Sequence, residues 1–143
     1  MQSETQTAVN VKQTVPLLSI ASMDASLRYY LDGLGFKMTN KWTPEGKIRW
    51  CWLELGGASI MLQEHGKGRG PATKPGAGVS ICFQCEDALA IYREAKSNGI
   101  TVQTPFVGNN LWVVNMADPD GYVLSFESPT EVPEETILDE ATT

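Results

Sequence analysis

The sequence predicts an α+β fold made of two tandem βαβββ modules, and three observations support that prediction. The chain has 143 residues, of which 42% are hydrophobic, so it can bury the core of one ordinary domain. Strand-like and helix-like segments occur in the order β-α-β-β-β, and the same order returns after a stretch rich in Gly and Pro. Superposing the halves at an offset of 64 residues aligns Gly35 with Gly99 and Gly57 with Gly121, which indicates a tandem repeat.

The first module begins with an apolar strand at residues 14–20, TVPLLSI, and Ser22 is a suitable N-cap for the helix that follows. That helix has apolar residues at helical spacing and ends at Gly33 and Gly35. Three strands come next, separated by turns at 44–46 and 56–57: FKMTNKW, IRWCWLEL and ASIMLQE.

The second module repeats this order, beginning with the strand VSICFQC and a helix from Asp87 to Asn98. Asn98-Gly99 is a typical helix stop. A turn at Asp118-Pro119-Asp120-Gly121 precedes the last of three further strands: ITVQTPFV, LWVVNMAD and YVLSFES.

The elements divide the chain into an N-terminal extension (1–13), the first module (14–65), a Gly/Pro/Lys linker (66–78), the second module (79–128) and an acidic tail (129–143). The tail has five acidic residues and no Lys or Arg, so the net charge of −6 leaves −1 for the rest of the chain. A nearly neutral body has no basic stripe for phosphates, which argues against a nucleic-acid partner. We expect the tail to be a solvated, partly disordered end.

Composition also restricts the compartment and the chemistry. No apolar run approaches the ~18 residues of a membrane span, and residues 1–14 are too polar for a secretory signal, so we expect no membrane association. Three cysteines do not make a disulfide framework, which favours a cytoplasmic, reducing location. The single histidine, His65, excludes sites built on two or three imidazoles.

Several short sequence segments together resemble those of one family. They are Ser26-Leu27-Arg28-Tyr29-Tyr30, Leu34-Gly35-Phe36, Asp118-Pro119-Asp120-Gly121-Tyr122 and Phe126-Glu127-Ser128-Pro129. With the two βαβββ modules they are similar to the vicinal oxygen chelate superfamily, which includes glyoxalase I, extradiol dioxygenases, and fosfomycin- and bleomycin-resistance proteins. The likeness covers roughly residues 14–129. It implies curved mixed sheets that enclose a cleft, helices outside them, and a homodimer.

Strand alternation predicts which side chains face that cleft. One set is uniformly apolar and is expected to pack under the helices: Leu18, Ile20, Ile60, Leu62, Ile81, Phe83, Leu124 and Phe126. The same parity places Trp50, Trp52 and Glu54 on the cleft side, with Cys51, Leu53 and Leu55 inward. The 64-residue offset adds Trp112, Val114 and Met116 to the cleft side.

The resemblance also implies positions for the metal ligands of metal-dependent relatives, which here are Val15, Met61, Ser80 and Ser125. A methyl, a thioether and two neutral hydroxyls do not hold a divalent ion, so we expect neither metal nor cofactor. A cleft without metal ligands and with tryptophans beside it resembles that of the bleomycin-resistance branch of the family, in which aromatic walls bind a planar drug.

Two function hypotheses follow. The favoured one is a protein that sequesters a small, aromatic molecule in a metal-free cleft, through Trp50, Trp52, Trp112, Gln63, Met61, Ser80, Ser125 and Met116. The alternative is a metal-independent isomerase or lyase in which Glu54 or Glu127 is the base and Gln63 or Arg49 polarises an oxygen.

Two further residue patterns have alternatives of their own. His65 is either a solvated strand end or a base at the rim of the cleft, paired with Glu64 or Glu54. Cys82 and Cys85 form a C-x-x-C on a strand, where residues three apart point to opposite faces, so we interpret them as packing residues.

Overall fold

The structure of the chain, a computed structural model, describes residues 9–66, 68, 70 and 74–139. Parts of the predicted N-terminal extension (1–8), linker (67, 69 and 71–73) and tail (140–143) lie outside the described residues. The first sheet contains β1 (Leu17–Ile20), β2 (Lys37–Trp42), β3 (Trp50–Leu55) and β4 (Ala58–Glu64). Its strand order is β1-β4-β3-β2, with β1 parallel to β4 and the other neighbours antiparallel.

The first helix, α1 (Met23–Leu27), begins where the sequence predicts. The Ser22 hydroxyl oxygen accepts a hydrogen bond from the Ala25 N–H at 3.2 Å. The helix continues as a π-helical stretch, Arg28–Gly33, which the sequence periodicity did not predict. It ends at Gly35, whose φ of 86° is the left-handed conformation that favours glycine at a helix end.

The second sheet contains β5 (Ser80–Gln84), β6 (Phe106–Gly108), β7 (Leu111–Ala117) and β8 (Val123–Pro129), in the order β5-β8-β7-β6. Helix α2 (Ala88–Ser97) lies between β5 and β6 in sequence, and the Asp87 carboxylate caps it. The prediction of a strand from residue 100 is wrong, because only 106–108 form β6. Pro105 supplies no N–H for a ladder and restricts the residue before it, so the strand begins after the proline.

The tail is also more ordered than the sequence predicted. Thr136 accepts a hydrogen bond from the Val107 N–H, and Leu138 donates one to the Pro105 carbonyl, both at 2.9 Å. The Glu134 carboxylate accepts from the N–H groups of Asn109 and Asn110 at 3.0 and 2.6 Å. The expectation of disorder is therefore wrong for 130–139, which remain largely exposed but cover the backbone groups that edge strand β6 leaves unpaired.

The buried faces of the two modules form one hydrophobic core, and a row of aromatic rings crosses it. Phe36 of the first module meets Tyr30 and Phe83 edge-on, with ring centroids 5.5 and 6.1 Å apart. Phe83 then stacks on Phe126 of the second module at 4.6 Å. The α+β fold of two four-stranded mixed sheets and two helices is confirmed.

The Asp118–Tyr122 turn joins the modules through polar contacts. The buried Tyr30 hydroxyl donates to Asp118 Oδ2 at 2.7 Å, and Asp118 Oδ1 accepts from the N–H groups of Asp120 and Tyr122 at 2.9 Å. The Tyr122 hydroxyl donates to the Ser19 carbonyl at 2.9 Å, on the first strand of the other module. Burial raises the pKa of Asp118 above the usual aspartate value, although these hydrogen bonds oppose the shift.

Candidate ligand-binding site

The first sheet has one side that packs against α1 and the core and one side that is open. Cys51 faces the helix, with its sulfur 3.9 Å from that of Met23, and Leu53, Ile60 and Leu62 on the same side are fully buried. The predicted alternation of β1, β3 and β4 is thus confirmed. We call the opposite side the open face; the register places on it Leu17, Ser19, Lys37, Asn40, Trp42, Trp50, Trp52, Glu54, Ser59, Met61 and Gln63.

Three tryptophans are neighbours on the open face. Trp52 lies opposite Met61, and Trp50 lies between Gln63 on one side and Trp42 on the other. Directly opposite residues on one face of an antiparallel pair have Cβ atoms about 5 Å apart, so Trp42 and Trp50 are adjacent, and Trp52 lies two residues from Trp50 on the same face. We call these three residues the aromatic wall. Trp42, with 56% of its surface exposed, is the most accessible of them.

Sequence reasoning missed Trp42. The ladder between β2 and β3 shifts between Met38 and Asn40, which leaves Thr39 as an extra residue and reverses the parity of the rest of β2. Strict alternation contains no signal for such a bulge, and without it Trp42 would fall on the covered side of the sheet.

Glu54 is bound to a member of this wall. The Trp52 indole Nε1–H donates to Glu54 Oε2 at 2.9 Å, two residues along the same strand and on the same face. A hydrogen bond to a carboxylate is stronger than one between neutral groups, so it restrains the plane of the indole ring. The contact makes Trp52 a pre-oriented surface and occupies one oxygen of Glu54.

A cavity of about 660 Å³ lies at the end of the open face, lined by Ala21, Trp42, Arg49, Gln63, Glu64, His65 and Gly66. Glu64 forms an ion pair with Arg49 and accepts a hydrogen bond from the Met23 N–H at 2.8 Å. His65 Nδ1 lies 3.2 Å from the Gly66 carbonyl oxygen instead. The structure therefore places Glu64 with Arg49 rather than with His65, and the proposed His65–Glu64 pair is not formed.

The second sheet has its own open side, which holds Ser80, Ser125 and Glu127 among the predicted site residues. Ser80 is exposed, Ser125 is 6% exposed and donates its hydroxyl hydrogen to Asn115 Oδ1, and Glu127 accepts from the Gln84 amide at 2.8 Å. Glu54 and Glu127 thus lie in different sheets, and each is bonded to a neighbour in its own sheet.

Trp112 and Met116 are not on the predicted side. The register pairs Trp112 with Ser128 and Met116 with Leu124, which place both on the side covered by α2, and Met116 is only 2% exposed. The reason is turn length. Two residues connect β3 to β4, whereas five connect β7 to β8. Residues of β4 therefore match residues of β8 at an offset of 64, but residues of β3 match residues of β7 at an offset of 63. This difference of one residue moves every side chain of β7 to the face opposite the predicted one.

The positions that the resemblance assigns to metal ligands do not fit a metal ion. Met61 and Ser125 lie on open faces, but a thioether and a hydroxyl already bonded to Asn115 are poor ligands for a divalent ion. No group of three His, Cys, Asp or Glu residues that could hold a metal occurs in the part of the chain that the structure describes.

The two sulfurs of the C-x-x-C are in environments that disfavour the thiolate. Cys82 and Cys85 are free thiols, and burial raises the pKa of each above the usual cysteine value. The Glu127 carboxylate raises the pKa of both further, while a hydrogen bond to the Glu127 backbone partly opposes the shift at Cys85. A raised thiol pKa is opposite to what a reactive cysteine requires.

A larger groove of about 730 Å³ lies between the modules, with Ile60, Ile81, Phe83 and Ile91 among its lining residues. None of the predicted site residues lines it. Its walls are continuous with the hydrophobic core, whereas the open face combines aromatic surface with hydrogen-bonding groups, as ligand sites do. We therefore take the open face of the first sheet as the candidate site.

Comparison with known proteins identifies the family to which this fold corresponds. A family model described as the Glyoxalase/Bleomycin resistance protein/Dioxygenase superfamily matches residues 12–126, whereas no curated protein matches the chain. None of the helices formed by the described residues is long and apolar enough to cross a membrane.

Solved structures with the same fold include proteins named for antibiotic binding. A bleomycin-binding protein in complex with bleomycin is 23% identical with a TM-score of 0.64, and the match covers 82% of this chain and 98% of that one. The bleomycin resistance determinant of transposon Tn5 is 24% identical with a TM-score of 0.66, covering 85% and 100%. TnmS3, an antibiotic binding protein from Streptomyces sp. CB03234, is 20% identical with a TM-score of 0.63, covering 84% and 98%.

Proposed function

The chain belongs to the glyoxalase/bleomycin resistance protein/dioxygenase superfamily, and from that membership we propose that it binds a small, flat aromatic molecule without a metal ion. The ligand lies on the open face of the first sheet, and the protein acts by sequestration or resistance. The observation that carries the proposal is the wall of Trp42, Trp50 and Trp52, which stands beside Met61 and faces away from the core.

An exposed aromatic wall needs an explanation, because large apolar side chains gain free energy when water leaves them. Stacking of a flat ring on one aromatic side chain contributes ~1–3 kcal/mol in nucleobase complexes, so two or three indoles can hold a ligand without a metal. The solved structures of the same fold that are named for binding bleomycin or an antibiotic support a small-molecule ligand.

We also propose that the protein is a cytoplasmic homodimer. Leu17, 54% exposed, and Trp42 leave apolar surface on the open face of one chain, and a second subunit can cover what a small ligand does not.

No observation favours the isomerase or lyase alternative. A proton-transfer mechanism needs an acid and a base within reach of the same substrate atoms. Within one chain, Glu54 is bonded to Trp52 and Glu127 to Gln84, in different sheets.

Isothermal titration calorimetry with bleomycin and with flat aromatic probes tests the proposal. We expect Trp50→Ala and Trp52→Ala to weaken the binding of any ligand that the wild type binds by roughly 1–3 kcal/mol each. Trp112→Phe is the matched control, since it alters a tryptophan on the helix side while keeping an aromatic ring there. If Trp112→Phe weakens binding as much as the open-face variants, or if no aromatic probe binds, the proposal is wrong.

A further inference from the structure

We infer that the ligand carries an anionic oxygen substituent, such as a carboxylate or phenolate, and that Arg49 and Gln63 bind it in the cavity at the end of β3 and β4. The inference rests on the proposed function, because it places the ring of the same ligand on the tryptophan wall. It adds the chemical class of the substituent and the residues that recognise it.

The cavity and the wall are one continuous surface. Trp42 and Gln63 line the cavity, and both are also direct cross-strand neighbours of Trp50 on the open face. A ring that stacks on Trp42 and Trp50 therefore has its edge at the cavity. At about 660 Å³ the cavity has room for a substituent and bound water.

The cavity holds hydrogen-bond donors that can reach a ligand, from the Arg49 guanidinium and the Gln63 amide, and the Gln63 amide oxygen is an acceptor beside them. The Arg49 side chain is 41% exposed, and its ion pair with Glu64 uses one of the guanidinium nitrogens. Within the described residues no other hydrogen bond engages the Arg49 or Gln63 side chains. Arginine has five N–H donors in a planar fork that matches a carboxylate, so Arg49 keeps donors for a ligand.

Three acidic groups lie near the cavity or the wall, and each is engaged by a neighbour. Asp120 Oδ1 accepts a hydrogen bond at 2.9 Å from the N–H of Ala21, which lines the cavity. Both oxygens of Glu64 are engaged, one by Arg49 and one by the Met23 N–H, and its side chain is only 17% exposed. Glu54 lies four residues from Trp50 along the strand, a separation of about 13 Å at ~3.3 Å per residue, and is bonded to Trp52. A ring over Trp50 therefore has the Arg49 guanidinium next to it, whereas the Glu54 carboxylate lies farther away.

Three anthracene compounds separate the ring from its substituent: anthracene-9-carboxylate, neutral 9-methylanthracene and cationic 9-(aminomethyl)anthracene. We expect the wild type to bind the carboxylate roughly tenfold or more tightly than 9-methylanthracene, the range expected for hydrogen bonds to a charged group. The amine should bind no more tightly than the neutral compound.

Two variants of the cavity should change the ratio of carboxylate affinity to 9-methylanthracene affinity in opposite directions. Arg49→Met should reduce the preference for the carboxylate to about twofold while leaving 9-methylanthracene affinity nearly unchanged, since the wall is intact. Glu64→Gln releases Arg49 from its ion pair while an amide oxygen can still accept from Met23, so the preference should rise several-fold. Arg93→Met, on the exposed side of α2, is the matched control and should leave the ratio at the wild-type value.

The outcomes distinguish this inference from the proposed function. If 9-methylanthracene binds and the carboxylate binds no better, or the amine binds best, the inference is wrong and the aromatic wall stands. If Arg49→Met does not fold, the direction of the Glu64→Gln change decides the question. If none of the three compounds binds, the proposed function fails and the inference fails with it.

Discussion

Removal of the Tyr30 hydroxyl tests the junction between the modules, because that hydroxyl joins the π-helical stretch Arg28–Gly33 to the Asp118 turn. In Tyr30→Phe the ring stays in the core, where Tyr30 is fully buried, and only the 2.7 Å hydrogen bond to Asp118 is lost. Asp118 is 4% exposed, so water does not readily replace the missing donor.

The magnitude follows from what Asp118 keeps. Hydrogen bonds to charged groups contribute ~1.5–3 kcal/mol, and Asp118 retains two backbone donors, from Asp120 and Tyr122, so we expect a loss of about 2 kcal/mol. At roughly 3 °C per kcal/mol for a domain of this size, the melting temperature should fall by about 6 °C.

The adjacent Tyr29 supplies a matched control. Its hydroxyl is buried and has no hydrogen-bond partner among the described residues, so Tyr29→Phe removes a polar group that gains nothing in the fold. We expect that variant to have the same stability as the wild type or to be slightly more stable. Urea denaturation of all three proteins measures the difference. Equal losses in the two variants would refute the assignment of the Tyr30–Asp118 bond as the junction.

Four further predictions follow from the structure. Trp112→Ala should cost about 3 kcal/mol of unfolding free energy, because Trp112 packs against the core, and should not alter ligand affinity; a stable variant with lost affinity would contradict its placement. Burial raises the folded-state pKa of Asp118, so its favourable contribution is complete below the unfolded pKa and is lost as pH rises through the folded one. The stability of the wild type relative to Asp118→Asn should therefore fall as pH rises above about 4, and a pH-independent difference in urea denaturation would argue against the shift. Elemental analysis of protein purified without a chelator should find no stoichiometric Zn, Ni, Fe or Mn, whereas one metal per chain would oppose a metal-free site. Sedimentation should give about twice the 15.6 kDa mass of one chain, and a monomer at micromolar concentration would exclude the proposed dimer.

Local chemistry made much of the fold predictable. Ser22 and Asp87 cap the helices as their residue types suggest, and the short Gly56-Gly57 turn keeps β3 and β4 in the register that alternation requires. The open-face positions of Trp50 and Trp52 therefore followed from the sequence.

The predictions that were wrong depend on turn lengths, on an inserted residue and on strand partners, none of which the alternation of side chains along a strand reveals. The five-residue turn at Asp118–Tyr122 reversed the parity of β7 and moved Trp112 to the helix side. The extra residue at Thr39 placed Trp42 on the wall. The tail pairs with β6 because an edge strand needs partners, a requirement that the composition of the tail does not reveal.

The indole N–H resonances of the four tryptophans give the most direct test of the aromatic wall. In a proton–nitrogen correlation spectrum, addition of anthracene-9-carboxylate should shift the signals of Trp42, Trp50 and Trp52 through the ring current of the bound ligand, while the signal of Trp112 stays in place. Trp→Phe variants assign each signal. A shift at Trp112 with no change at the other three, or no shift at any of them at saturating ligand, would contradict the proposed site.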